Sequence, residues 1–297
     1  MRGLDRSIAD EAKDIGALAL AVLARETQVH RGPVACELDG KVRDGEGQWR
    51  LADERIVLRA GPIRLAYERG RGVTLDVPPD VDPRNADLWL NGTIYAAVAA
   101  INGLMPLHAS AVAHGGKVYA FTGPPGAGKS TLAAALGREG LPLFCDDTLI
   151  LDLSHPDLIV ALPGHKRLKL WPEGAALANA HLQEQVQSNY PKFFAQPAAG
   201  TVAEPMPLAE LIFLEQGESP ALVPVSPGER MARLQDDHYT AELFEHAARL
   251  ERPQRFAQLA AIARLLPMHR FTRPYSPDKF DEGLALMRSH ICQGLPA

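Results

Sequence analysis

Residues 118–147 have the sequence VYAFTGPPGAGKSTLAAALGREGLPLFCDD, and the rest of the chain is interpreted outward from this stretch. Inside it, residues 123–130 match the pattern G-x-x-x-x-G-K-[ST] without a mismatch. Residues 118–122 predict a short strand, and the run that starts at Thr131 predicts a helix. A glycine loop between a strand and a helix N-terminus binds anions, because free backbone N–H groups and the helix dipole favour negative charge. The stretch therefore predicts a phosphate-binding loop.

The loop implies a nucleotide and a metal ion as ligands. We assign nucleotide binding to Gly123, Pro124, Pro125, Gly126, Ala127, Gly128, Lys129, Ser130 and Thr131. Lys129 is expected to reach the β- and γ-phosphates, and the hydroxyl of Ser130 is expected to ligate Mg²⁺. The predicted cofactors are thus ATP and Mg²⁺. The alternative is a chance match in a glycine-rich loop.

A hairpin precedes the loop. The apolar runs 107–113 and 117–122 are separated by His114-Gly115-Gly116, and a Gly-Gly turn is a strong hairpin signal. If His114 faces Lys117, the same register sets His108 opposite Gly123. His108 is therefore predicted to lie at the mouth of the loop. The alternative is a histidine that merely starts a strand.

Two adjacent carboxylates follow the loop helix. Residues 141–145 predict a strand that ends at Asp146 and Asp147. A strand–helix–strand unit gives parallel strands whose carboxyl ends open on the same edge, so both aspartates should face the bound phosphates. Neighbours on extended backbone point to opposite faces, which suggests different roles. One carboxylate suits Mg²⁺, and the other suits the proton of an acceptor hydroxyl. The alternative is a solvated turn.

Further cations come later, in PGHKRLKLW at 163–171. Period two in a strand predicts Arg167 and Lys169 on one face, where they could meet phosphate or an acidic substrate, or simply face solvent. Residues 187–207 are rich in Pro, Gln, Asn and Ala, which predicts a long irregular segment that is a functional loop or mobile surface.

The pattern around this centre predicts an α/β fold in two domains. Residues 1–28 predict a helix, buried at 15–24, and 34–78 predict a small antiparallel β unit. PPDVDP at 78–83 then breaks the pattern, so we place domains at 1–85 and 86–297. Residues 88–103 predict a helix beneath the second domain.

The C-terminal part continues the same architecture. A core strand is predicted at 208–214 and a shorter one at 268–272. Ser226-Pro-Gly-Glu229 is a capping box that opens a helix to about residue 250. Helices are also predicted at 254–265 and 277–291. His238 and Tyr239 are interpreted as surface or packing residues.

Composition narrows the functional classes. Of the 297 residues, 46% are hydrophobic and 23% are charged, as in ordinary globular proteins. The net charge of −5 argues against nucleic acid as a partner. Three cysteines, far apart, give no metal spacing and no disulfide framework, which favours the reducing cytoplasm. The apolar run 15–24 is too short for a bilayer and follows an acidic leader, so no membrane partner is expected.

Three motifs together resemble a known family. LHASAV at 107–112, GPPGAGKST at 123–131 and FCDD at 144–147, with the aspartates 17 and 18 residues after Lys129, resemble the catalytic domain of HPr kinase/phosphorylase. The resemblance is clear over 104–153 and absent from 1–90. It implies a phosphate-loop α/β sheet with helices, in addition to the small N-terminal, mainly β domain. It also implies Asp147 as general base, Asp146 as its partner near the metal, and His108 as a support for the carboxylates.

The chain departs from that family after the aspartates. The family carries Glu-x-Arg-Gly there, where this chain has PGHKRLKLW. This segment and the N-terminal β unit look like the HPr-kinase-like proteins of bacterial biosynthetic clusters, some of which phosphorylate a serine near the C-terminus of lasso peptide precursors. The resemblance thus implies an ATP- and Mg²⁺-dependent serine kinase of a peptide or protein, with a lasso precursor as favoured substrate. The chain could also form a homo-oligomer.

Three alternative functions remain open at this point. The first is a regulator that acts on HPr itself, and the second is a small-molecule kinase, which should have a closed pocket. The third is a non-catalytic nucleotide switch, which would bind ATP without turnover. The retained pair Asp146 and Asp147 argues against the switch.

Overall fold

The computed structural model gives a mixed α/β structure that covers most of the chain. It describes residues 2–35, 48–52, 54–82, 84–187, 190–234, 243–244, 246–247 and 252–293. Cys36, His238 and Tyr239 lie outside the described residues, as do residues 36–47 of the predicted antiparallel β unit. Among the helices of the described ranges, none is both long enough and apolar enough to cross a bilayer.

The N-terminal part is a long helix followed by a sheet. Its elements are α1 (Arg2–Glu26), β1 (Val29–Arg31), β2 (Gln48–Ala52), β3 (Arg55–Ala60), β4 (Ile63–Glu68) and β5 (Gly72–Asp76). The strand order is β1-β5-β4-β3-β2, and the predicted antiparallel strands between 48 and 76 are present. The sequence does not predict β1, which pairs in parallel with β5. Val34 and Ala35, where the predicted β unit begins, do not lie in a strand.

An unusual helix leads into the second part of the chain. Its segments are α2 (Arg84–Trp89), a π-helical turn (Leu90–Ile94) and α3 (Tyr95–Ile101). The predicted helix at 88–103 is therefore confirmed, but with a π-helical turn inside it. Residues 96–101 are all buried, and the Asn102 side-chain amide donates to the phenolic oxygen of Tyr67 (2.8 Å). This contact joins the helix to the N-terminal sheet.

The remaining elements follow in order. They are β6 (Met105–Leu107), β7 (Ala109–His114), β8 (Lys117–Thr122), α4 (Lys129–Arg138), β9 (Leu143–Cys145), β10 (Leu149–Asp152), β11 (Val160–Leu162), β12 (Leu168–Leu170), α5 (Pro172–Ala178), β13 (Leu182–Gln187), β14 (Tyr190–Ala195), β15 (Met206–Gln216), β16 (Ala221–Pro224), α6 (Pro227–Leu234), α7 (Arg252–Leu265), β17 (Met268–Arg273), a 3₁₀ turn (Pro277–Lys279) and α8 (Phe280–Gln293). The predicted core strand, the short C-terminal strand and the last two helices are confirmed.

The central sheet has the order β6-β10-β11-β15-β8-β7-β9, with β17 beside β15 and β16 beside β17. The hairpin register is confirmed, because His114 pairs with Lys117 and Ala109 with Thr122. β7 is antiparallel to both β8 and β9. β8 and β9 therefore run in the same direction, as predicted, with β7 between them.

Alternate residues of β8 pack on opposite faces of this sheet. Val118 and Ala120 belong to a hydrophobic cluster shared with α1, α3 and the N-terminal sheet. Tyr119 and Phe121 belong to a second cluster, shared with α4 and α8. A strand has a period of two residues, so a strand covered on both faces is apolar throughout. The loop at 123–128, called the phosphate-type loop below, therefore follows a strand that is packed on both faces.

The burial of α1 differs from the prediction. Ala12, Ala19 and Leu23 are buried, whereas Leu18 is 75% exposed. The helix packs on β11 and β15 through one face only. The prediction of a buried helix is therefore correct for one face and wrong for the other.

The third sheet corrects a second prediction. Residues 187–207 were expected to be irregular, but β13 and β14 form a hairpin that pairs with β12 in the order β12-β14-β13. The prediction is wrong for 190–195 and correct for 196–205, which contain only an isolated bridge at Thr201. The polar composition of this segment hides its strands because strand preference depends on cross-strand packing more than on residue type.

The capping box at the start of α6 is also present. The Ser226 hydroxyl donates to Glu229 Oε2 (2.8 Å), and the Ser226 N–H donates to the same oxygen (3.3 Å). α6 is described to residue 234, and the predicted continuation toward residue 250 lies largely outside the described residues.

Candidate active site

The loop between β8 and α4 has a backbone that requires glycine. Gly123, Gly126 and Gly128 have φ values of 145°, 83° and 84°, which side chains on L-residues rarely adopt. A Cβ atom at Gly123 would lie 2.7 Å from the backbone oxygen of Leu214, and one at Gly128 would overlap the guanidinium of Arg273. The loop is therefore packed against the ends of β15 and β17, and it leads directly into the first turn of α4.

Lys129 folds back over the loop. Its Nζ donates to the backbone oxygens of Gly123 (2.8 Å) and Pro124 (3.2 Å). Burial lowers the pKa of this lysine to about 8, although Asp146 and Asp147 act in the opposite direction. A buried cation whose hydrogen bonds go to neutral carbonyl groups is well suited to an incoming anion.

Asp146 faces inward at the end of β9. Its Oδ1 accepts from the Ser110 hydroxyl (2.6 Å), and its Oδ2 accepts from the Lys169 backbone N–H (3.0 Å). The residue is only 2% exposed. Its own N–H donates to the backbone oxygen of His165 (3.1 Å). Asp146 thus connects β7, β9 and the segment that precedes β12.

Asp147 faces the cavity because its backbone is left-handed, with φ at 74°. The sequence argument from alternation on an extended strand is therefore wrong here, although the two side chains do have different surroundings. Oδ2 of Asp147 accepts from Lys169 Nζ (2.8 Å), and Oδ1 lies 3.5 Å from His108 Nδ1. Burial works to raise the pKa of Asp147, but Lys169 and His108 outweigh it, and the pKa is below its usual value.

His108 lies where the hairpin register predicts. The Thr122 hydroxyl donates to the backbone oxygen of His108 (3.2 Å), which holds it beside the end of β8. Its Nδ1 lies 2.9 Å from the backbone oxygen of Asp147. A carbonyl oxygen can only accept, so Nδ1 carries the proton in this contact.

Arg167 and Lys169, which the sequence predicts on one strand face, have different surroundings. Lys169 contacts Asp147, whereas Arg167 pairs with Glu184 and stacks over Phe194, with 3.8 Å between the guanidinium carbon and the ring centroid. The strand begins only at Leu168, so period two does not extend back to Arg167. The prediction that both cations share a face is wrong, and only Lys169 reaches the site.

One cavity of about 720 Å³ is lined by His108, Lys129, Asp147 and Lys169. Asp146 and Arg167 are not among its lining residues, and Asp146 lies buried beside it. Its lining includes the cations Lys129, Lys169, Lys192 and Arg273, and the carboxylates Asp147 and Glu173. With four cations and two carboxylates, the lining favours a multiply charged anion.

Sequence reasoning missed several lining residues. Arg273 donates through Nη2 to the backbone oxygen of Ala127 (3.0 Å), and Lys192 comes from the hairpin that the sequence did not predict. The Trp171 and Tyr275 side chains, 41% and 48% exposed, also border the cavity. For Lys192, the alternating segment YPKFFA was an available signal. For Arg273 there was none, because its position depends on long-range pairing of β17 with β15.

The chain was compared with family models, with curated proteins and with solved structures. No family model matches the sequence, and no curated protein matches it. Among solved structures, the chain is similar to the Hpr(Ser) kinase/phosphatase from Coxiella burnetii, with 13% identity over 64% of this chain and 98% of that one, and a TM-score of 0.35. A TM-score this low supports no inference about activity.

Proposed function

We propose that the protein is an ATP- and Mg²⁺-dependent kinase that transfers phosphate to a serine of a peptide or protein. The observation that supports this most strongly is the position of Asp147 in the same cavity as Lys129 and the loop residues Pro125, Gly126 and Gly128. Phosphoryl transfer requires little from a protein beyond a phosphate cradle, a cation on the transferred group and a carboxylate for the acceptor hydroxyl. This cavity offers all three.

The nucleotide would occupy the cationic part of the cavity. A volume of about 720 Å³ suits a small-molecule ligand, for which sites of roughly 300–1,000 Å³ are usual. Lys129 would leave the carbonyls of Gly123 and Pro124 for the phosphates, because a charged acceptor binds a buried ammonium more strongly than a neutral one. The N–H groups at the start of α4 would complete the cradle.

The oxygen donors near the loop also suit Mg²⁺, which prefers hydroxyl, carboxylate and water ligands. We propose Ser130 and Asp146 as the protein ligands, with Ser110 fixing the orientation of the Asp146 carboxylate. Bound Mg²⁺ would neutralise charge on the β- and γ-phosphate oxygens. The role of Asp146 requires one of its two present contacts to be shared with, or given up to, the metal.

Asp147 would accept the proton of the acceptor serine. Lys169 and His108 keep its carboxylate ionised at neutral pH, so it is ready as an acceptor. The low pKa of Asp147 makes it a weak base. In a loose transition state for phosphoryl transfer, however, the main requirement is that the acceptor hydroxyl is correctly oriented. His108 and Lys169 are positioning residues in this scheme.

The acceptor peptide would bind beside this centre. A second cavity, of about 310 Å³, lies between Val29 and Val73 of the N-terminal sheet, Asn91 of the π-helical turn and His165. The backbone oxygen of His165 accepts from the Asp146 N–H, so this cavity adjoins the aspartate pair. We therefore propose that the unit 1–85 binds the peptide and that 86–297 forms the kinase domain. A lasso precursor stays the favoured substrate on the sequence resemblance alone.

A charge placed in the second cavity should impair peptide binding selectively. Val29 is 46% exposed and lines the cavity, so Val29→Glu is expected to raise the KM for the peptide at least ~10-fold with little effect on folding, because an apolar contact is replaced by a charge that must stay hydrated. The KM for ATP should not change. Val223→Glu, at a similarly exposed strand position on β16, is the control. An unchanged peptide KM in Val29→Glu would rule out this cavity as the acceptor site.

The pH dependence of the reaction should report on Lys169. Lys169→Met removes the main charge that lowers the pKa of Asp147, so that pKa should rise. Activity requires ionised Asp147, and the acid limb of the kcat profile is therefore expected to move to higher pH. Arg167→Met is the control, since Arg167 pairs with Glu184 and not with Asp147. Equal profiles for Lys169→Met and the wild type would contradict the role of Asp147.

Transfer itself is tested by incubation of the purified protein with ATP, Mg²⁺ and serine-containing peptides, among them lasso precursors, followed by mass spectrometry. The expected product is a phosphoserine peptide. Phosphorylation of a small hydroxylated molecule with no transfer to any peptide or protein would instead support the small-molecule alternative.

A further inference from the structure

A cluster of metal-binding side chains lies at the other end of the central sheet. It consists of Glu210 on β15, His269 on β17 and His290 on α8, whose nearest nitrogen and oxygen atoms all lie within 4.8 Å of one another. Leu214, which packs against the phosphate-type loop, is four residues further along β15, roughly 13 Å at the usual rise of a strand. The cluster is thus separate from the proposed ATP site.

The carboxylate of Glu210 lies between the two imidazoles. Its Oε2 is 2.8 Å from His290 Nε2, and its Oε1 contacts His269 Nδ1. The centroids of the two imidazole rings are 5.0 Å apart, at 65° to each other. The side chain of Glu210 is 7% exposed, whereas those of His269 and His290 are 20% and 26% exposed. A charged carboxylate is therefore buried under two histidines that solvent can still reach.

The contact with His269 is not a hydrogen bond. Glu210 Oε1 and His269 Nδ1 are both buried, and neither has a hydrogen-bond partner among the described residues. A buried carboxylate oxygen without a donor is costly, and such groups are rare in native proteins. The two atoms contact each other as a possible ion pair without the alignment of a hydrogen bond. Ligands of one cation direct their lone pairs to a common point and not at each other, so this arrangement is compatible with a shared ion.

We infer that Glu210, His269 and His290 bind a zinc ion. Two imidazole nitrogens and one carboxylate oxygen form a donor set that favours zinc over Mg²⁺ or Ca²⁺, which prefer oxygen ligands. With zinc bonds of ~2.0–2.2 Å, the ligand atoms of a tetrahedral site lie ~3.3 Å apart. The contacts of Glu210 with both imidazoles are shorter than this, so side-chain rotations would have to move the carboxylate away from the two rings to admit an ion. A water molecule would take the fourth position, on the exposed side.

The ion would join three elements of the domain. It would link α8 to β15 and β17, and β17 also carries Arg273, which contacts the loop at Ala127. The site has no phosphate loop or acceptor cavity beside it in the described part of the chain. Its role would be to stabilise the fold, and this inference does not depend on the proposed kinase activity.

Zinc binding is measured on the full-length protein after treatment with a chelator. We expect one zinc ion per chain in competition with a chromogenic chelator, and a melting temperature raised by ~5 °C when free zinc is a hundredfold above Kd. His269→Ala and His290→Ala should each weaken binding at least ~10²-fold, and Glu210→Gln should also weaken it, because the amide cannot supply the negative charge. His181→Ala, which removes an exposed histidine, and Asp146→Asn, in the proposed ATP site, should leave zinc binding unchanged.

Two results would overturn the inference. One is that the wild-type protein binds no zinc when one equivalent is added and that its stability depends on pH but not on zinc. The cluster would then be only an ion pair. The other is equal zinc affinity in the wild type and in His269→Ala/His290→Ala. If the variants fail to fold, the visible spectrum of the wild type with Co²⁺ decides: a tetrahedral spectrum supports the site, and its absence contradicts it.

Discussion

Replacement of Lys129 by methionine is expected to lower phosphoryl transfer by at least ~10²-fold. Lys129 is the buried cation over the phosphate-type loop, and its loss removes a fixed charge from the group on which charge develops. Loss of one such preorganised contact typically costs ~10²–10³ in rate. Methionine has a similar length and is apolar, so the buried position should be tolerated. Affinity for ATP should also fall, because the same lysine contacts the phosphates before transfer.

The matched control for this variant is Lys117→Met, at the opposite end of β8. It should retain wild-type transfer and wild-type affinity for ATP. Melting temperatures of both variants show whether folding is preserved. Full activity in Lys129→Met, with the protein folded, would contradict the assignment of the loop as the ATP site.

Replacement of Asp147 by asparagine should separate chemistry from binding. Asparagine tolerates the left-handed backbone that Asp147 adopts, so the turn should survive. The amide cannot take the serine proton, and kcat is expected to fall at least ~10²-fold. ATP affinity, measured by calorimetry, should change little, because the carboxylate lies opposite the cradle and not within it.

Asp146→Asn is the comparison that distinguishes the two carboxylates. Both oxygens of Asp146 accept hydrogen bonds, from Ser110 and from the Lys169 N–H. An amide NH₂ would face one of these donors, so some loss of stability is expected, together with a higher Mg²⁺ requirement. If Asp147→Asn keeps its turnover while Asp146→Asn is inactive at unaltered Mg²⁺ affinity, the two roles are exchanged. If both variants stay active, the kinase proposal fails.

Local sequence patterns predict much of this site. The glycines at 123, 126 and 128 are required by their backbone angles, and the Gly115-Gly116 turn fixes a register that delivers His108. These signals work because each depends on residues within one hairpin or one loop. The direction of β9 relative to β8 also follows from a local rule for strand–helix–strand units.

What the sequence does not predict depends on long-range pairing. Arg273 reaches Ala127 only because β17 pairs with β15 in one register. Lys192 depends on a hairpin whose first strand, LQEQVQ, is mostly polar, so only the second strand, YPKFFA, has a local signal. The left-handed backbone of Asp147 is compatible with its residue type, but the residue type does not predict it, and the contacts with His108 and Lys169 come from distant parts of the chain. The same pairing of β17 places His269 beside Glu210, a cluster with no sequence spacing to reveal it.

The central claim is that the loop and the aspartate pair form one site of phosphoryl transfer. A structure of the protein with Mg²⁺ and a non-hydrolysable ATP analogue tests it without any knowledge of the acceptor. The expected result has the β-phosphate in the loop, Lys129 Nζ moved from the carbonyls of Gly123 and Pro124 to the phosphates, and room for one hydroxyl at ~3 Å from both the γ-phosphate and Asp147. A nucleotide bound outside the loop, or a γ-phosphate directed away from Asp147, would contradict the claim.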